Sequence, residues 1–129
     1  MNRRAFLIAG LLAATSLTPA SAASDLTVIY VGGWDCPPCT QWKNTQKQRW
    51  LRSPEFHRVT WVEVEAPRLK DAYQQRYWPA DLRSVLAQLP RKSGTPRFLI
   101  VANGRIVSNE IGVSKWLNTM AELRKLLGE

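Results

Sequence analysis

The two cysteines of the chain, Cys36 and Cys39, are separated by two prolines and are the residues best suited to chemistry. At this spacing two thiols can close a small disulfide ring and open it again, so they can act as a reversible two-electron couple. A structural disulfide normally closes a longer loop, because so small a ring restrains the unfolded chain very little. The spacing therefore predicts a redox-active dithiol.

Two other uses of paired cysteines fit the sequence poorly. A zinc site needs four ligands, whereas the chain offers two thiols and one distant histidine, His57. Attachment of a c-type haem would need a histidine at position 40, which is Thr40. We therefore expect neither a metal nor a cofactor at this site.

The first 23 residues carry the pattern of a cleaved export signal. Arg3 and Arg4 precede an apolar stretch over residues 5–17, and small residues at 20–23 follow it. The apolar stretch is shorter than the ~20 residues that a membrane-spanning helix needs, which argues against an anchor. The two arginines fit a twin-arginine signal and an ordinary positively charged start equally well. We expect residues 24–129 to form one domain exported to the periplasm.

The composition makes nucleic acid an improbable ligand. The formal net charge is +8, and it is +6 without Arg3 and Arg4 of the expected signal. The basic residues are scattered, and no basic run is interleaved with aromatic residues as in a nucleic-acid track. The charge predicts a solvated basic surface with a mild preference for acidic partners.

The elements around the dithiol can be read from the apolar pattern. Residues 26–31 are apolar and rich in β-branched side chains, which predicts a buried strand that ends at Gly32. A helix is expected from Pro37 to about Leu51, since proline is well tolerated in a first helical turn. Trp42 and Trp50 lie eight residues apart on one face of that helix, and we expect both in the core.

The remaining elements follow the same logic. Alternation over residues 58–65 predicts a second strand, and two short helical patterns, 69–77 and 79–89, lie before the next one. Residues 97–102 and 105–111 are predicted to pair as a hairpin across Asn103-Gly104. A last helix is expected to run to Leu127, capped by Ser114. Its predicted buried side consists of Val113, Trp116, Leu117, Met120, Leu123 and Leu127.

Three local motifs resemble those of the thioredoxin superfamily. Residues 34–39, W-D-C-P-P-C, are similar to the W-C-x-P-C motif with Asp35 inserted. Gly94-Thr95-Pro96 resembles the cis-proline loop, and the hairpin with the following I-G-V-S-K resembles the end of the fold. The resemblance implies an α/β, minimal thioredoxin-like fold with a four-stranded mixed sheet and flanking helices. The expected order is β-α-β-(αα)-β-β-α.

The resemblance also implies roles for the dithiol and its neighbours. Cys36 would be the exposed nucleophile, and Cys39, one turn deeper, would resolve the mixed disulfide. Pro37 and Pro38 donate no N–H toward Cys36, so the thiolate should be stabilised less and the couple should favour reduction of substrates. Opposite the dithiol, a cis Pro96 would leave the backbone of Thr95 free to pair with a substrate strand.

Two further residues are expected near the substrate. Trp34 is either a substrate-contacting ring or a plug at the edge of the core, and the glycines before it favour contact. Gly112 would lie beside the dithiol, where a side chain would obstruct the substrate groove.

The chain departs from the family pattern at one chemically important position. Tyr30 stands six residues before Cys36, where thioredoxins keep a buried aspartate that accepts a proton. Glu63 or Glu65 on the second strand could replace it, although such carboxylates more often face solvent.

The resemblance finally implies partners. It predicts a monomeric periplasmic thiol:disulfide oxidoreductase that reduces protein disulfides and is recharged by a membrane electron donor of the thiol-transfer type. Small single-domain proteins of this layout resemble the periplasmic thioredoxins of sulfur-oxidation systems, which keep the thiol of a sulfur-carrier protein active. A reductant for cytochrome c maturation and a copper-binding chaperone of thioredoxin fold remain alternatives.

Overall fold

The protein is described by a computed structural model that covers residues 25–129. Its centre is a sheet of four strands, β1 (Leu26–Gly33), β2 (Thr60–Ala66), β3 (Arg97–Ala102) and β4 (Arg105–Ile111). The strand order is β2-β1-β3-β4, with β1 parallel to β2 and β3 antiparallel to both of its neighbours. The predicted four-stranded mixed sheet is therefore confirmed.

One interrupted helix follows β1. It begins as α1 (Pro37–Trp42), passes through a π-helical turn at Lys43–Lys47 and continues as α2 (Gln48–Leu51). The prolines occupy its first two positions, as expected where an N–H has no intrahelical partner. The two remaining α-helices are α3 (Arg83–Gln88) and α4 (Trp116–Leu126). Within the described part of the chain, no helix is long and apolar enough to cross a membrane.

The connection from β2 to β3 is less helical than the sequence predicts. The pattern at residues 69–77 forms two isolated 3₁₀ turns, and the pattern at 79–89 forms another turn followed by the short α3. The reason is Trp78, which is buried and donates its indole N–H to the carbonyl of Ala72 at 2.9 Å. This contact folds the segment back on itself, because a continuous helix would carry the two residues apart.

The sheet separates two apolar clusters. One lies under α1, α2 and α4, and aromatic rings dominate it: Tyr30, Trp42, Trp50, Phe98 and Trp116. The other lies under α3 and the 3₁₀ turns and includes Ile29, Val64, Trp78, Leu86 and Leu99. The prediction that Trp42 and Trp50 belong to the core is confirmed, with exposures of 0% and 2%.

The last helix begins later than predicted. Residues Val113–Lys115 form a 3₁₀ turn, Lys115 occupies the N-cap position of α4, and no side chain caps the helix, so the expected cap at Ser114 is wrong. Leu117 is 68% exposed instead of buried, because it follows the buried Trp116 directly and therefore lies about 100° further around the helix. Trp116, Met120, Leu123 and Leu127 are buried as expected. The predicted export signal at residues 1–23 lies outside the described residues.

Candidate active site

The two cysteines lie where β1 gives way to α1. Cys36 is the N-cap residue of α1 and has an extended backbone, whereas Cys39 lies in the first helical turn. The two are joined in a disulfide, with their Cα atoms 5.2 Å apart. The chain between strand and helix is held by a hydrogen bond from the N–H of Trp34 to the carbonyl of Ala66 at 3.0 Å. The dithiol is thus anchored to the ends of two adjacent parallel strands.

Two hydrogen-bond donors face the sulfur of Cys36. The backbone N–H of Cys39 lies 3.2 Å from Sγ, as expected when Pro37 and Pro38 supply none. The hydroxyl of Thr95 lies 3.3 Å from the same sulfur, and it must be the donor here because a disulfide sulfur carries no proton. This second donor was missed by the sequence analysis, which considered only the backbone of Thr95.

Burial corrects one expectation about the nucleophile. Cys36 is 2% exposed and Cys39 is 0% exposed, so neither sulfur of the closed disulfide is open to solvent. Trp34, two residues earlier, is 71% exposed and packs into neither apolar cluster. Its ring therefore does not plug the core, and it is available to contact a substrate.

The loop opposite the disulfide is fixed by backbone contacts. The Thr95–Pro96 peptide bond is cis, and the carbonyl of Pro96 accepts a hydrogen bond from the N–H of Gly112 at 2.8 Å. Gly112 has φ +110°, a backbone conformation that other residues rarely adopt. A Cβ at Gly112 would meet only the Lys115 side chain, at 4.0 Å, so the glycine is required here by its conformation and not by crowding.

The inserted Asp35 has a structural contact of its own. Its carboxylate oxygen Oδ1 accepts the N–H of Leu69 at 2.6 Å and so ties the segment before Cys36 to the turn after β2. The exposed side chains of Trp34 and Leu69 therefore lie on neighbouring segments. An additional aspartate directly before the first cysteine was the only sequence signal for this contact.

Tyr30 lies beneath the disulfide. Its side chain is fully buried, its ring stacks on Trp42 with centroids 4.9 Å apart, and its hydroxyl has no hydrogen-bond partner among the described residues. The hydroxyl and the sulfur of Cys39 both crowd the position that a Cβ on Gly32 would occupy. Burial, followed by the negative charges of Glu65 and Glu63, raises the pKa of Tyr30 well above its ordinary value. Tyr30 is therefore a neutral hydroxyl near the deeper sulfur.

The two glutamates of β2 are paired and do not simply face solvent. Glu65 forms an ion pair with Lys43, and Glu63 forms one with Lys47 at 2.6 Å. The lysines lie one helical turn apart, and the glutamates lie on the same face of β2, so the two pairs form a ladder. The ladder closes the side of the cluster that contains Tyr30.

A buried arginine holds the loop before Thr95. Arg97 is 1% exposed, and its guanidinium donates to Oδ1 of Asn109 at 2.8 Å and to the carbonyls of Arg91 and Ser93. The hydroxyl of Tyr73 donates to the carbonyl of Gly94 in the same loop. All of these partners are neutral groups. A single charged residue at the start of an otherwise apolar strand was the available signal for this arrangement.

The structure resembles several solved thioredoxins. The periplasmic thioredoxin SoxS from Paracoccus pantotrophus superposes with a TM-score of 0.57 at 16% identity, covering 80% of this chain and 96% of that one. This chain has a thioredoxin fold. Thioredoxin from Trypanosoma brucei brucei (TM-score 0.53, 17% identity, 84% and 80% covered) and the Malassezia sympodialis thioredoxin Mala s 13 (0.52, 14%, 79% and 80%) are also similar.

The sequence stands further from known proteins than the fold does. No protein-family model and no curated protein matches it. Within residues 25–129, no three or more histidine, cysteine or acidic side chains are grouped so that they could hold a metal ion.

Proposed function

We propose that the protein is a thiol:disulfide oxidoreductase that reduces disulfides of partner proteins through Cys36 and Cys39. The observation that carries the proposal is the position of the cysteine pair. It lies at the start of α1, closed as a disulfide, with the hydroxyl of Thr95 3.3 Å from the sulfur of Cys36. A disulfide ring this small adds little to the stability of the fold. Its position at the end of a strand, facing the loop that carries Thr95, suits disulfide exchange better.

The reaction follows from this arrangement. The thiolate of Cys36 attacks one sulfur of the substrate disulfide, which breaks and releases one substrate thiolate. The thiol of Cys39 then loses its proton and attacks the sulfur of Cys36, and the second substrate thiolate leaves. The substrate gains two electrons, and the protein is left with the Cys36–Cys39 disulfide. A membrane thiol-transfer protein would restore the dithiol by the reverse exchange.

The direction of the reaction depends on how well the thiolate of Cys36 is stabilised. One backbone N–H and one hydroxyl face the sulfur, and Pro38 removes a further donor at the second helical position. A reduced form that is modestly stabilised makes the dithiol a good reductant. We therefore propose that the couple operates as a reductant.

The substrate would dock on the exposed surface around the disulfide. Trp34 offers an exposed ring next to Cys36, and the backbone of Thr95, before the cis Pro96, would pair with an extended substrate segment. Gly112 would border this groove, through its hydrogen bond to Pro96.

We place this activity in the periplasm. The signal-like residues 1–23 and the similarity to the periplasmic thioredoxin SoxS support that location. A sulfur-carrier protein with an oxidisable thiol is the partner we propose first. Cytochrome c maturation is the competing pathway.

The decisive experiment is reduction of insulin with dithiothreitol as the electron source. Wild type should accelerate precipitation of the insulin B chain, and Cys36→Ser should abolish the acceleration because no mixed disulfide can form. Cys39→Ser, reduced and then freed of dithiothreitol, should instead accumulate a covalent complex with insulin, because no second thiol releases the substrate. In periplasmic extracts, mass spectrometry of the complex trapped there would identify the partner. Full activity of Cys36→Ser would exclude the proposed function.

A further inference from the structure

The loops around the dithiol carry exposed basic side chains. The segments that meet there carry five exposed cations: Arg68, Lys70, Arg91, Lys92 and Lys115. Within residues 25–129, none of the five takes part in an ion pair; the four ion pairs found there involve other residues. We call these five residues the basic rim.

Contacts to the site fix where the first two of these cations lie. Arg68 and Lys70 flank Leu69, whose N–H donates to Asp35 at 2.6 Å, directly before Cys36. They therefore stand beside the segment that carries the nucleophile.

The other three cations lie on the opposite side of the disulfide. Arg91 and Lys92 belong to the loop that ends at Thr95, whose hydroxyl contacts Cys36, and the buried Arg97 holds that loop in place. The N–H of Lys115 donates a hydrogen bond to the carbonyl of Gly112 at 3.0 Å. The N–H of Gly112 in turn donates to the carbonyl of Pro96. The basic rim thus borders the groove in which a substrate would dock.

Few carboxylates offset this charge. Three acidic residues lie on or directly beside these segments: Asp35 and Asp71, which accept hydrogen bonds from Leu69 and Gln74, and Glu110 near the end of β4. Arg97 adds a buried positive charge that has only neutral hydrogen-bond partners. The field at the mouth of the groove is therefore positive.

Cations at the opposite edge of the sheet are partly paired. There the ends of the strands and helices carry six cations and four acids: Arg49, Arg52, Arg58, Arg105, Arg124 and Lys125, and Asp25, Glu55, Glu122 and Glu129. Two of these cations form ion pairs, Arg124 with Glu55 at 3.3 Å and Lys125 with Glu122 at 3.8 Å. The five cations of the basic rim form no ion pair within residues 25–129, and they stand where a partner would approach the disulfide.

We propose that the basic rim selects partner proteins whose disulfide is flanked by aspartate or glutamate. This inference rests on the proposed disulfide reduction and specifies its substrate class. Opposite charges attract over about a Debye length, roughly 8–10 Å at physiological salt, which spans a few residues on either side of a docked cysteine. Such attraction raises the rate of encounter while the exchange chemistry stays unchanged.

The test compares two synthetic peptides that contain the same disulfide and differ only in flanking residues, glutamate in one and lysine in the other. The second-order rate constant for oxidation of the reduced protein by each peptide is measured by rapid acid quench and mass spectrometry. We expect the glutamate peptide to react about 10-fold faster at low ionic strength. The ratio should fall below about twofold in 1 M salt, where the Debye length is ~3 Å.

Charge reversals locate the effect. Lys70→Glu combined with Lys92→Glu should remove or invert the preference. Arg52→Glu combined with Arg105→Glu changes the net charge equally at the opposite edge of the sheet and should leave the ratio nearly unchanged. Each peptide rate constant is divided by the rate constant for the neutral 2-hydroxyethyl disulfide, which needs no charged docking, so that a change in the reactivity of the Cys36 thiolate cancels from the comparison.

Each alternative result has a distinct meaning. Equal rates with both peptides in wild type would overturn the inference and leave the proposed function intact. A loss of preference in the Arg52 and Arg105 variant as large as in the rim variant would assign the effect to net charge and overturn it as well. Binding to phosphatidylglycerol vesicles without a peptide preference would assign the rim to a lipid surface. Failure of wild type to reduce any of the disulfides would overturn the proposed function itself.

Discussion

The hydroxyl oxygen of Thr95 lies 3.3 Å from the sulfur of Cys36, although 59 residues separate them in sequence. The contact joins the start of β3 to the start of α1, across the groove in which a substrate would dock. When the disulfide opens, the same hydroxyl can donate to the Cys36 thiolate. We therefore propose that Thr95 acts on the reactivity of the sulfur as well as on docking.

Replacing this hydroxyl should slow the nucleophile. A hydrogen bond to a charged acceptor stabilises it by at least about 1 kcal/mol, so Thr95→Val should leave about fivefold less thiolate at neutral pH. We expect iodoacetamide to label Cys36 about fivefold more slowly in the reduced variant. Thr45→Val is the control, because its exposed hydroxyl donates to Gln41 and does not contact the cysteines. Equal labelling of Thr95→Val and wild type would show that the hydroxyl does not act on the thiolate.

The two cysteines should differ in reactivity once reduced. Both are buried in the closed disulfide, but Cys36 lies at the N-cap, where the N–H of Cys39 faces its sulfur, whereas Cys39 lies inside the helix. Because the thiolate is the nucleophile, iodoacetamide should label Cys36 in Cys39→Ser about tenfold or more faster than Cys39 in Cys36→Ser. Labelling followed by mass spectrometry measures both rates. Faster labelling of Cys39 would reverse the assigned roles.

The second proline should tune the reduction potential. An N-cap side chain accepts hydrogen bonds from the N–H groups of the second and third helical residues, and here the second is Pro38. Pro38→Ala would add a donor worth about 1 kcal/mol to the thiolate, which raises the reduction potential by about 20 mV. Equilibration with glutathione measures this shift.

The first proline provides the matched control for that measurement. Pro37→Ala restores an N–H at the first helical position, which does not point at the cap side chain, so its potential should move much less. A shift in Pro37→Ala as large as in Pro38→Ala would contradict the donor argument.

The hydroxyl of Tyr30 should destabilise the folded protein. It is buried without a hydrogen-bond partner among the described residues, and such a group destabilises a folded protein by about 1–3 kcal/mol. Tyr30→Phe keeps the stacked ring, so we expect the free energy of unfolding in urea to rise by about 1 kcal/mol. Tyr73→Phe should lower it, because that hydroxyl donates to the carbonyl of Gly94. A less stable Tyr30→Phe would mean that the hydroxyl is hydrogen-bonded in solution.

Local sequence patterns predicted the strands well and the connection to β3 poorly. Residues 97–102 and 105–111 form strands with the predicted bounds, because β-branched apolar runs around Asn103-Gly104 specify a hairpin locally. The segment before Trp78 also shows a helical spacing of apolar residues. Its conformation, however, is decided by the hydrogen bond from Trp78 to Ala72, a contact that depends on the sheet beneath it.

The candidate site shows the same division. Cys36 and Cys39 could be recognised from their spacing alone, because a disulfide between residues three apart depends only on the local conformation of the chain. Three other contacts join segments that are distant in sequence. They are the hydrogen bond of Thr95 to Cys36, the hydrogen bonds of Arg97 to the loop before Thr95, and the ion pair of Glu65 with Lys43. Periodicity and turn signals describe neighbours in sequence, so they could not predict contacts that only the folded sheet creates.

The Tyr30 hydroxyl occupies the space that a side chain on Gly32 would need. A Cβ on Gly32 would collide with the Tyr30 hydroxyl and come within 3.0 Å of the sulfur of Cys39. Over evolutionary time the two positions should therefore change together, with a side chain tolerated at position 32 only where residue 30 is shorter. Covariation of this pair would show that the same packing beneath the disulfide is kept, even in relatives whose other motifs have diverged.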